Sequence, residues 1–89
     1  MSVVIIIKQM KAKLIFSTVS REIEIWKNLS FIPQLLDWFN VKEILNSKEL
    51  ELIKQSAKRW SGILGTVEFV DFKNNDNESY AEVFIWCED

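Results

Sequence analysis

Histidine is missing from this 89-residue chain, and cysteine is reduced to Cys87. Without an imidazole the chain lacks the side chain best suited to proton transfer at neutral pH and the commonest transition-metal ligand. One thiol and no imidazole exclude a zinc site and any Ser/His or Cys/His nucleophile pair on residue count alone. The single cysteine also excludes an intramolecular disulfide, which fits a reducing compartment. Glycine is nearly absent. Gly62 and Gly65, with Ile63 and Leu64 between them, do not make a phosphate-cradling loop and read instead as a helix cap and the beginning of a strand. Long apolar runs are lacking as well. The stretch over residues 3–7 stops at Lys8, too short for a membrane span or the apolar core of a signal peptide, and no basic segment precedes it. The expectation is a cytoplasmic protein that does not enter a membrane.

What the chain does contain is sorted by charge. Residues 1–21 carry Lys8, Lys11, Lys13 and Arg21 with no acid, whereas residues 61–89 carry seven acids against Lys73 alone. Between these ends, acids and bases cancel. With one proline, no repeat and no low-complexity tract, nothing divides the sequence, and residues 1–89 read as one domain. Eleven aromatic residues, including Trp26, Trp38, Trp60 and Trp86, supply a dense core for so short a chain.

Periodicity predicts the elements. Residues 2–8 are β-branched and apolar on both faces, as in a strand that meets water on neither. Met10, Ala12, Leu14 and Phe16 alternate with polar positions and predict a second strand, and Ile23 and Ile25 suggest a third. Ser30 as N-cap and Pro33 in the first turn predict a helix with Ile32, Leu35, Leu36 and Phe39 on one face and Trp38, Val41 and Leu45 on another. Asn46-Ser47 caps a second helix in which Leu50, Ile53, Ala57 and Trp60 share a face, with Gly62 ending it. Thr66 to Lys73 and Tyr80 to Glu88 form a hairpin around an Asn/Asp-rich turn. In its second strand Ala81, Val83, Ile85 and Cys87 face one way and Tyr80, Glu82, Phe84, Trp86 and Glu88 the other, with Glu68, Val70 and Phe72 joining the aromatic side. The order β-β-(β)-α-α-β-β implies an α+β two-layer domain, an antiparallel sheet of four to five strands with a helical pair on one face.

Two carboxylate patterns could hold a hard cation. Asp71-Phe72-Lys73 with Glu68 upstream has the acid-x-lysine spacing of a metal-dependent nuclease, and Asp76 and Glu78 lie in an asparagine-rich turn. A solvated strand end and an ordinary hairpin turn explain both, so no enzyme, metal or cofactor is expected. Lys54, Lys58 and Arg59 on the second helix could contact nucleic acid, although cations near a helix C-terminus also favour the helix dipole, and the following hairpin is acidic. Because several strands are apolar on both sides, a helical pair leaves sheet surface uncovered, which predicts a homodimer or an obligate complex through the aromatic face or a strand edge. The leading expectation is a non-enzymatic protein-interaction module. A small inhibitor, antitoxin or immunity-like factor of the phage or mobile-element type would fit, engaging a basic surface such as that of a nucleic-acid-handling enzyme. Asp71, Asp76, Glu78, Glu82, Phe84 and Trp86 are its candidate contacts; the alternative is a small nucleic-acid-binding regulator acting through Lys54, Lys58 and Arg59.

Overall fold

The computed structural model describes residues 10–57, 59–62, 64–75 and 78–87. Strands β1 (Met10–Ser17), β2 (Glu22–Leu29), β3 (Trp38–Asn40), β4 (Leu64–Asn75) and β5 (Glu78–Trp86) form one sheet in the order β2-β1-β5-β4-β3. Helices α1 (Val41–Ile44) and α2 (Ser47–Ser56) lie in sequence between β3 and β4. The fold is therefore α+β, as the periodicity predicts. The strand predicted over residues 2–8 lies outside the described residues. No helix among the described residues is long and apolar enough to cross a membrane.

Three features of the architecture differ from the sequence-based expectation. The sheet is mixed, because β1 runs parallel to β5 while every other neighbour is antiparallel, and it curls into a half-barrel instead of a flat layer. The helix predicted from Pro33 onward does not form. Asp37 accepts a hydrogen bond from the Gln34 amide at 2.9 Å and donates its own amide to the Gln34 carbonyl at 3.0 Å, closing a turn. Trp38, Phe39 and Asn40 then pair with Thr66, Gly65 and Leu64, so residues with high strand propensity take the edge of the sheet and only one helical turn is left in α1. The third difference is a bulge between Val67 and Phe69. Val67 pairs with Ile85 and Phe69 with Phe84, which places Glu68 outside the one-to-one register. From there on Phe69, Asp71 and Lys73 share the face of Phe84, Glu82 and Tyr80, whereas Val70 and Phe72 turn to the opposite face, the reverse of their predicted placement.

The concave face holds the core. Ala12, Leu14 and Phe16 of β1, Ile23 and Leu29 of β2, Val67 of β4, and Ala81, Val83 and Ile85 of β5 pack against Phe39, Val41, Leu45 and Ile53. Phe16 and Phe39 meet edge to face with centroids 6.4 Å apart. Gly65 sits where a Cβ would run into Ile85 and approach the Trp86 carbonyl at 3.2 Å, so the close approach of β4 to β5 depends on its lack of a side chain.

Local capping explains where α2 begins. The Asn46 side chain accepts from the Glu49 amide at 2.9 Å and the Glu49 carboxylate accepts from the Asn46 amide at 3.0 Å, a reciprocal capping box. Lys27, reaching over from the inner face of β2, places its ammonium 2.7 Å from the same carboxylate. Burial pulls the Glu49 carboxyl upward, but the hydrogen bonds from Lys27 and Asn46 and the lysine's charge outweigh it and hold the group below the ordinary carboxylate range. The helix stops at Ser56, earlier than the apolar spacing to Trp60 predicts. Gly62 has the expected left-handed backbone, φ 83°, but beyond the helix, where the Lys54 side chain lies over it and leaves no room for a Cβ.

Candidate interaction surface

Cross-strand register assembles the convex face of the sheet row by row. One row runs Glu22, Ser17, Trp86, Thr66 and Trp38 across all five strands. The next is Glu24, Ile15, Phe84 and Phe69, and after it Trp26, Lys13, Glu82 and Asp71. Phe69 and Phe84 have ring centroids 5.7 Å apart, while Trp26 and Tyr80 meet edge to face at 5.0 Å. This is the aromatic and acidic face predicted for β5, with Phe84 and Trp86 half-buried within it.

Its acids are not equivalent. Lys13 stands between Glu24 at 3.2 Å and Glu82 at 3.8 Å, Lys73 contacts Asp71 at 2.8 Å, and Lys11 pairs with Glu78. Lys11 also lies 4.9 Å from the Trp26 ring centroid. The hydrogen bond and charge of Asp71 raise the Lys73 pKa above its usual value. Three of the predicted contacts, Asp71, Glu78 and Glu82, thus face the chain's own lysines, and Asp76 lies outside the described residues. Pairing between β1 and β5 is the cause for Glu78 and Glu82, since it lays the basic N-terminal third of the sequence beside the acidic C-terminal third, while Asp71 meets a lysine two residues along its own strand.

Glu22 and Glu68 stand apart from this lattice, with no ion pair among the described residues. They line a concavity of about 440 Å³ at one end of the convex face, together with Trp86 and the connection between β1 and β2. Thr18 shapes that connection: its hydroxyl donates to the Arg21 carbonyl at 3.0 Å and accepts from the Ser20 and Arg21 amides. Arg21 also lines the concavity, but its Nε donates to Ser56 Oγ at 2.8 Å. Glu22 carries no sequence signal of its own. The β1–β2 and β1–β5 pairings together bring it near Trp86.

A second surface follows the β3–β4 edge. Leu35, Leu36, Trp38, Phe69 and Phe72 are 60%, 71%, 73%, 54% and 64% exposed. Leu36 is held at φ 69°, a conformation a branched residue rarely adopts, with its amide bonded to the Val67 carbonyl at 2.7 Å. Ile32, Pro33, Gln34, Leu35, Val70 and Phe72 enclose a groove of about 230 Å³ beside this edge.

Two of the three residues of the predicted nucleic-acid cluster are among the described residues. Lys54 packs over Gly62, Arg59 is exposed, and Lys58 lies outside the described residues; Lys48 and Glu51 share the exposed side of α2. Among the described residues no group of three or more acidic or thiol side chains is arranged to hold a metal ion. Comparison with protein-family models, with curated proteins and with solved structures finds no match.

Proposed function

We propose that this chain is a non-enzymatic protein-interaction module that engages a basic partner surface through the convex face of its β4–β5 hairpin. One observation carries the reading: six carboxylates, Glu22, Glu24, Glu68, Asp71, Glu78 and Glu82, share this side of the sheet with three lysines, Lys11, Lys13 and Lys73, and among the described residues the two acids that no lysine pairs with, Glu22 and Glu68, stand with Trp86 in a concavity whose one cation, Arg21, bonds to Ser56. A half-buried indole between two unpaired carboxylates suits the guanidinium of an arginine, which can stack on the ring and hydrogen-bond both acids. Asp71, Glu78 and Glu82 then act as a weaker surrounding field, because the lysines beside them screen it. An inhibitor, antitoxin or immunity-like factor that occupies the basic cleft of a nucleic-acid-handling enzyme is the biological role this surface fits, with carboxylates standing where phosphates would. A reducing, cytoplasmic setting accords with the single buried thiol of Cys87.

An arginine-rich peptide titrated into the labelled protein tests the reading by amide chemical shifts. Perturbations centred on Glu22, Glu68 and Trp86 are expected, with affinity falling roughly tenfold or more in the E22K/E68K variant and at high salt. The D71K/E78K/E82K variant should lose less. Shifts spread evenly over the sheet, or none at low salt, would contradict the proposal. Binding of duplex DNA or single-stranded RNA at Lys54 and Arg59 in the parallel titration would replace it with the nucleic-acid reading.

A further inference from the structure

We infer that the exposed edge of β4 pairs with the same edge of a second copy of this chain, in an antiparallel two-fold arrangement centred on Phe72. The argument begins with backbone groups. β3 pairs with β4 only at Leu64, Gly65 and Thr66, and the preceding turn adds the bonds between Val67 and the backbone of Leu36 and Asp37. β4 continues to Asn75, and from Glu68 onward its side away from β5 has no strand partner among the described residues. An edge of that length with apolar side chains on both faces, Phe69 on the convex side and Phe72 on the concave side, is a template for another strand.

Charge selects the occupant. Asp71 and Lys73 lie two residues apart on one face, bracketing Phe72. A two-fold axis through Phe72 sets Asp71 of each copy across from Lys73 of the other, so the contact that each chain makes internally is exchanged for two between chains. On the concave side the two Phe72 rings meet at the mouth of the groove formed with Leu35 and Pro33, where each is now exposed. A basic partner would gain nothing from Lys73 in this place. A second copy supplies complementary charge and ring at once.

This surface is separate from the concavity at Glu22 and Glu68, and the test keeps the two apart. Sedimentation equilibrium of the full chain should show a concentration-dependent dimer. The K73D variant, which sets like charges opposite each other, should weaken it by about tenfold or more. The charge-swapped D71K/K73D variant should restore it, and thermal melts of dilute samples establish that both variants are folded. Binding of the arginine-rich peptide at Glu22 and Glu68 should persist in K73D, whatever its oligomeric state. A chain that stays monomeric when concentrated overturns the inference, including the case in which residues 69–74 are protected by another part of the same chain. So does a dimer indifferent to K73D, or one that the swap fails to restore.

Discussion

Along β2, Glu22, Glu24, Lys27 and Asn28 stand at the open side of the sheet with only Trp26 as a large partly exposed ring, whereas the far side presents Trp38, Phe69 and Phe72 beside Leu35 and Leu36. Both are edges with backbone groups to satisfy, and they are managed in opposite ways. Charged residues on an edge strand oppose pairing with another chain, and β2 follows that pattern closely. β4 and the turn before β3 do not. The contrast teaches that exposed apolar side chains cluster along the β3–β4 side, whereas around β2 they are scattered singly, at Met10, Val19, Trp26 and Phe31.

The comparison can be strained most by removing what holds the apolar edge in place. Phe39 is 2% exposed, packs edge to face on Phe16 and is the central residue of β3. Its replacement by alanine should cost about 3–5 kcal/mol, read from urea denaturation, and should release β3 from β4. A cost below about 1 kcal/mol would mean that the edge does not depend on this ring.

A smaller effect lies beside the charged edge, where Lys27 of β2 holds the capping carboxylate of α2. Because the folded-state pKa of Glu49 is lowered, its contribution to stability is fully present above the unfolded carboxylate value of about 4.3 and is lost as pH falls through the folded value. Glu49→Gln keeps an acceptor for the Asn46 amide but gives up the ion pair. It should cost up to about 1 kcal/mol at neutral pH and reduce the acid dependence of the melting temperature below about pH 4. An unchanged acid limb would show that other carboxylates govern it.

The smallest stability effect is expected at the most exposed ring of β4. Phe72→Ser in dilute protein should stay within about 0.5 kcal/mol of the unsubstituted chain, since little of the ring is buried in a single subunit. Phe39 and Phe72 lie on the same side of the sheet, and the gap between their effects measures how much of that side is core and how much is interface.

The sequence carried the local features of this fold well. Asn46-Ser47 announces the α2 cap, and the alternation from Tyr80 to Cys87 separates the buried and convex faces of β5 correctly. Non-local features left no such trace. Nothing near β1 marks its parallel pairing with β5, yet that pairing places Lys11 and Lys13 against Glu78 and Glu82 and so removes much of the negative field expected of the hairpin. The bulge at Glu68, by contrast, has a trace in the sequence, because Phe69 and Val70 are adjacent apolar residues and the apolar positions pass there from Val67 and Phe69 to Val70 and Phe72. Around Pro33, helical spacing of apolar residues competed with the strand preference of Trp38 and Phe39, and the open edge beside Gly65 decided for the strand.

Amide hydrogen exchange across a dilution series reads both edges in one measurement. The account predicts that β4 amides over residues 69–74 gain protection as protein concentration rises while those of β2 over residues 22–29 do not change. Equal behaviour of the two edges at every concentration would contradict it.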